Sequence, residues 1–135
     1  MSRSGRSKPV VARWEGGFRA TVEAGPFRFV VDEPEEAGGS GAGPMPTDYL
    51  LGALASCYAL AVAWAGRKRG IELPDLEVTA RGTYDGPRFE AITLTVASSA
   101  PVEQLQPLLE PASRVCYVSN TLRRGPQVEV VIAPR

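Results

Sequence analysis

Eighteen consecutive residues, Tyr49 to Gly66, carry no formal charge, and this stretch constrains the fold more than any other part of the chain. Its alanines and leucines favour helix. Pro44 and Pro46 precede it, Asp48 falls in its first turn, and Arg67, Lys68 and Arg69 close it before Gly70. That arrangement suits a helix dipole and predicts a helix over Thr47–Arg69. Eighteen uncharged residues also reach the length of a bilayer span. Six of them are alanine and two are glycine, so the hydrophobicity per residue is modest. The flanking segments read as strands that need an apolar surface to cover. We therefore expect a helix buried at the centre of a core or an interface, with no membrane involved.

The strand readings come from alternation and turn chemistry. Val10–Glu15, Phe18–Glu23 and Phe27–Val31 form three short runs, separated by turns at Gly16-Gly17 and Ala24-Gly25-Pro26. They predict an antiparallel meander. Asp32–Pro46 is rich in glycine and proline, carries Glu33, Glu35 and Glu36, and reads as a surface loop. Beyond the helix, Leu76–Tyr84 and Phe89–Ala97 alternate on either side of Asp85-Gly86-Pro87. Pro101–Val115 reads as a second helix that Pro107 and Pro111 should break or kink, and Gln127–Ile132 as a final short strand. The order is βββ-α-ββ-α-β, an α+β class with antiparallel pairing. At 135 residues the chain fits one domain over 1–135, with Met1–Lys8 as a frayed tail. No apolar run follows that basic tail, so it does not read as a secretory signal, and a reducing, cytoplasmic setting is expected.

Composition then narrows the chemistry. The chain has no histidine and two cysteines, and its 15 Lys and Arg offset its 15 Asp and Glu. Without imidazole there is no Ser-His-Asp triad, no Cys-His dyad and no His-bearing zinc site, and two cysteines alone cannot build a structural zinc site. Zero net charge lacks the basic footprint of a nucleic-acid binder. Cysteine, carboxylates, arginine and hydroxyls are left.

Cys57 falls in the middle of the long helix, where Leu50, Ala53, Leu54, Leu60, Ala61 and Trp64 share its face by spacing. Two readings stay open on the residues alone. A free cysteine often serves as a small core hydrophobe, inert because burial disfavours its thiolate. If it is instead a nucleophile, the helix N-terminus is too distant to activate it. A cation must then come from elsewhere, and Arg13, Arg19 and Arg28 of the first strands are the available suppliers. Cys116, 59 positions later, would suit a resolving thiol for a sulfenic acid on Cys57.

Two segments resemble the OsmC/Ohr family, the osmotically induced and organic hydroperoxide resistance proteins. One is Gly43-Pro44-Met45-Pro46-Thr47-Asp48-Tyr49-Leu50-Leu51-Gly52-Ala53-Leu54-Ala55-Ser56-Cys57. The other is Ala112-Ser113-Arg114-Val115-Cys116-Tyr117-Val118-Ser119-Asn120-Thr121-Leu122. The resemblance implies an intertwined homodimer, with antiparallel sheets wrapped around central helices and active sites at the subunit interface. It implies thiol-dependent reduction of organic hydroperoxides to alcohols without metal or organic cofactor, and a dithiol reductant of the lipoyl type. On the same ground Cys57 is the peroxidatic thiol, Cys116 the resolving thiol, and Arg19 the cation that holds the thiolate, a task that suits a permanently charged guanidinium.

The chain also departs from the family pattern. Many members place a glutamate near the start of the central helix to orient the arginine. Thr47 and Asp48 stand there in this chain, with Glu35 and Glu36 as weaker substitutes, and Tyr117 replaces a common proline. These departures keep a second expectation open: a non-enzymatic, stress-associated dimer of the same fold that binds apolar ligands.

Overall fold

The computed structural model describes residues 2–135; Met1, part of the tail expected over 1–8, lies outside them. By its contacts the chain divides into two compact units, residues 1–50 and 51–135.

The first unit is built on the expected meander. β1 (Val11–Trp14), β2 (Ala20–Ala24) and β3 (Phe27–Val31) form one antiparallel sheet in the order β1-β2-β3. β2 starts two residues later than the alternation suggests, at Ala20. Gly16 and Gly17 both take positive φ, and the Arg19 N–H closes onto the Gly16 carbonyl at 3.0 Å. The turn thus consumes Phe18 and Arg19, as only glycine enters such conformations without strain. Glu23 faces Arg28 across the sheet and ion-pairs with both Arg13 and Arg28. Such exposed pairs contribute at most about 1 kcal/mol each.

The loop after β3 is ordered by one carboxylate. Asp32 is buried; its Oδ1 accepts the Glu33 N–H at 2.7 Å, and its Oδ2 accepts the Ser40 hydroxyl at 2.6 Å and the Ala42 N–H at 3.1 Å. These bonds, that of the Ser40 hydroxyl foremost, hold the Asp32 carboxyl down at about 2 against the opposing effect of burial. A Cβ on Gly39 would come within 2.0 Å of the Glu33 carbonyl oxygen, so the loop closes only over glycine there. Glu35–Ala37 forms a single 3-10 turn.

α1 (Pro46–Lys68) begins in the first unit and continues into the second. Its first turn is tied to β3, where the Tyr49 hydroxyl donates to the Val30 carbonyl at 2.7 Å and its ring lies 4.8 Å from that of Phe29.

In the second unit, β4 (Glu77–Asp85) and β5 (Arg88–Ala97) form a two-stranded antiparallel hairpin. Gly82 is a strand glycine covered by a neighbour: a Cβ there would stand 2.6 Å from the ring of Phe89. The helical region after β5 tightens at Pro107, where proline removes a backbone donor. The break expected at Pro111 is absent, since that residue falls in the first turn of a helix, where its N–H would have no intrahelical partner. The region runs as α2 (Val102–Leu105), a 3-10 turn over Gln106–Leu108, and α3 (Leu109–Val115). α4 (Tyr117–Arg124) follows after the single extended residue Cys116. The core joins Tyr58, Ala61, Val62 and Ala65 of α1 to Leu108, Ala112 and Cys116, with Val78, Leu94 and Val96 packed against it.

Within the single chain α1 is covered on one face: a third of its most apolar 18-residue stretch is buried. The covered stripe is Leu54, Tyr58, Ala61, Val62, Ala65 and Gly66, spaced as one helix face. Leu50, Ala53, Leu60 and Trp64, expected to share a buried face with Cys57, are exposed, Leu60 to 73%. The length and composition of α1 would let it cross a membrane, yet its stripe packs on α3 side chains as a protein-core helix does. One further expectation needs correction: the final strand read over Gln127–Ile132 does not form within the chain, and the segment joins neither sheet. Its apolar side chains stand in solvent, Ile132 to 95%, so alternation alone does not hold a strand without a partner to pair with.

Candidate functional site

The two thiols meet one cluster. Cys57 is half-buried on α1 and packs against the apolar cluster of which Cys116 is a member, and both are free. Cys116 is fully buried at 0% exposure. It ends α3 and begins α4, with its carbonyl taking the Asn120 N–H at 3.0 Å and the Ser119 hydroxyl at 3.2 Å. Asn120 Nδ2 also donates to the Arg114 carbonyl at 3.2 Å. Motion of Cys116 therefore has to carry the α3–α4 junction with it. Solvent and small molecules reach Cys57 first.

Cys57 is not part of the fully buried stripe of α1. Tyr58, its neighbour, belongs to it, and Cys57 lies at the margin of the stripe, where it touches both core and surroundings. An entirely apolar helix carries no periodic signal from which the sequence could have distinguished the two.

Arg19 and Asp48 belong to the first unit. Arg19, next to the Gly16-Gly17 turn, lies 3.6 Å from the carboxylate of Glu15 and is half-exposed. Asp48 Oδ2 accepts the Met45 N–H at 3.0 Å, so the carboxylate reaches back over the first turn of α1 as an N-terminal capping group does. Its other oxygen is uninvolved in that bond. Arg13 and Arg28, the other candidate suppliers of a cation, share Glu23. Among the described residues, no group of three or more cysteine, aspartate or glutamate side chains is placed to hold a metal ion.

Sequence reasoning missed two features of the second unit. The Tyr58 hydroxyl bonds the Leu109 carbonyl and the Ser113 hydroxyl, and an open groove of about 320 Å³ is lined by Leu54, Phe89, Ile92, Leu94 and Leu122, among others. A phenolic hydroxyl in mid-helix, within a largely apolar run, was the available signal for the first. The groove depends on residues far apart in sequence and left no local trace.

Comparison with known proteins places this geometry in context. The family model described as OsmC-like protein matches residues 38–131, well over half of the chain and inclusive of both cysteines. Among curated relatives, YmaD of Bacillus subtilis (strain 168) is 34% identical over 73 residues, which cover 53% of this chain and about half (49%) of that protein. A protein of Haloferax volcanii is 28% identical over 122 residues, covering 87% of this chain and 89% of the relative. Solved structures agree in fold. The organic hydroperoxide resistance protein OhrB of Bacillus subtilis superposes with a TM-score of 0.61 at 25% identity, covering 87% of this chain and 90% of that one. An OsmC-like protein of Mycoplasma pneumoniae reaches a TM-score of 0.69 at 16% identity, covering 88% and 89%.

Proposed function

This chain belongs to the OsmC-like protein family, and from that premise we propose that it is a thiol-dependent peroxidase that reduces organic hydroperoxides to alcohols. One observation carries the reading: a half-buried, free Cys57 packs against the same apolar cluster that holds a fully buried, free Cys116. A reachable thiol beside a sheltered one suits a division into attacking and resolving roles. The name of the Bacillus subtilis neighbour, an organic hydroperoxide resistance protein, points the same way.

In this reading the Cys57 thiolate attacks the terminal oxygen of the hydroperoxide. The O–O bond breaks, the alkoxide leaves and takes up a proton as the alcohol, and Cys57 is oxidised to a sulfenic acid. The Cys116 thiol then condenses with it, forming the S–S bond and releasing water. A dithiol of the lipoyl type restores both thiols by exchange and becomes a disulfide itself. Arg19 is the cation that steadies the thiolate, since a guanidinium keeps its charge at every relevant pH. Asp48 is the carboxylate assigned to orient it, through the oxygen that its helix-capping bond leaves uninvolved. No metal or organic cofactor takes part.

The same reading includes a homodimer, acting in the cytoplasm. Its support is apolar surface that a lone chain leaves in water: Leu60 and Trp64 on α1, Trp14, Phe18 and Phe27 in the first unit, and the run Val128–Ile132. Apolar surface on that scale is a mark of an interface.

The test is direct. Reduced protein is mixed with cumene hydroperoxide while free thiols and alcohol are followed. The expected result is loss of two thiols per peroxide reduced; persistence of both thiols, or equal consumption by Cys57→Ser, refutes the reading. The second reading, an apolar-ligand binder without turnover, draws on the groove bordered by Leu54, Phe89, Ile92, Leu94 and Leu122. It expects saturable binding of apolar ligands while Cys57 stays reduced.

A further inference from the structure

α3 is two turns long, too short to hold its shape without tertiary anchors. It is cut off from α2 by the 3-10 turn at Pro107 and joined to α4 only through Cys116. The placement of Cys116 therefore depends on what fixes α3. Leu108 and Ala112 supply fully buried apolar contacts, but such contacts are non-directional and leave rotation about the helix axis weakly specified. The directional anchor is Tyr58. Its hydroxyl donates to the Leu109 carbonyl at 3.1 Å and lies 2.9 Å from the Ser113 hydroxyl. Those two positions are four residues apart, one above the other on the same face of α3. Tyr58 is also the residue next to Cys57. The bond pair thus references α3, and with it Cys116, to the backbone that carries Cys57.

We infer that Tyr58 is a positioning residue for the second half of the redox cycle: its clamp on Leu109 and Ser113 sets how fast Cys116 closes the disulfide onto an oxidised Cys57. The inference rests on the assignment of Cys57 and Cys116 as attacking and resolving thiols. A disulfide tolerates Cα separations of only about 4.4–6.8 Å, so closure depends on how α3 carries Cys116 toward Cys57. The first step, attack of Cys57 on the peroxide, does not pass through the clamp. In the second, the Cys116 sulfur displaces the hydroxyl from the Cys57 sulfenic acid, which leaves as water.

The experiment compares the full-length wild type with Tyr58→Phe, Ser113→Ala and Ser113→Thr. Single-turnover oxidation by cumene hydroperoxide is quenched at intervals, with dimedone trapping the sulfenic acid and intact mass reporting each species. Tyr58→Phe and Ser113→Ala are expected to lose the Cys57 thiol at the wild-type rate. Both should then close the disulfide about tenfold more slowly, as loss of one or two hydrogen bonds allows, with the dimedone adduct accumulating at Cys57. Ser113→Thr, which keeps the hydroxyl, should restore closure. Disulfide closure at wild-type speed in Tyr58→Phe overturns the inference, as does an equal fall in both steps, the mark of general loosening. A parallel series oxidised with diamide, which takes up the two thiol hydrogens without any peroxide, separates the two levels. If peroxide leaves wild-type Cys57 reduced while diamide closes the disulfide more slowly in Tyr58→Phe, the peroxidase reading fails and the clamp stands. If diamide closes it equally fast in both, or in neither, the clamp fails.

Discussion

The Ser40 hydroxyl donates to Asp32 Oδ2 across 2.6 Å, and this bond joins the two ends of a nine-residue loop segment. Because it holds the Asp32 carboxyl below its ordinary 3.8, at about 2, the carboxylate stabilises the fold above its unfolded pKa. That contribution is lost as pH falls from 3.8 toward 2. Ser40→Ala should raise the Asp32 pKa and lower the urea midpoint near neutral pH, while the two proteins converge in strong acid. Urea titrations across acidic pH provide the check; curves that stay parallel into strong acid would contradict it.

Gly39 tests the same loop sterically. A methyl group there collides with the Glu33 carbonyl at 2.0 Å and approaches Asp32 Oδ1 at 2.8 Å. Gly39→Ala should destabilise by about 1–3 kcal/mol, the range for forcing strained backbone, and should raise hydrogen exchange at the Ala42 amide.

The two cysteine variants should behave differently. Cys57→Ser is expected to consume no hydroperoxide. Cys116→Ser should consume one equivalent and leave a sulfenic acid on Cys57 that dimedone captures. Mass spectrometry of the modified peptides distinguishes the two, and a dimedone adduct on Cys116 of the wild type would reverse the assignment.

Leu108 and Leu60 offer a contrast in burial. Leu108 is fully enclosed at 0% exposure, so Leu108→Ala should cost about 3 kcal/mol through lost burial and a residual cavity. Leu60 is 73% exposed within the chain, and an isolated surface position changes stability by at most about 0.5 kcal/mol. The homodimer reading expects more from Leu60→Asp: a fall in molar mass by light scattering at concentrations where the wild type is a dimer. An unchanged mass for both would count against α1 as the interface.

Legibility in the sequence followed the range of the interactions. β3 matches its reading to the residue, and β5 begins one residue early, because alternation and flanking turns are local. The 3-10 turn at Pro107 was equally local, since a missing N–H acts where it stands. Pro111 breaks nothing because it falls in the first turn of α3, and α4 was not read from the sequence. The covered face of α1 was not legible, as a helix apolar on all sides carries no 3.6-residue contrast. Asp32 read as one acid among several in a glycine-rich loop; its partners lie eight and ten residues onward, and no short motif joins them. Cys57 and Cys116 were found as residues. What binds them into one cluster, the Tyr58 clamp included, spans more than fifty positions.

The unpaired run Val128–Ile132 has a consequence for handling by the cell. A short valine- and isoleucine-rich segment in water is a template for strand addition to any open sheet edge. Here the run carries Glu129 within it and is bracketed by Pro126 and Pro134, residues that interrupt hydrogen-bonded stacking and act as gatekeepers against fibrillar growth. Glu129 and the two prolines thus limit how far copies of this segment could stack on one another.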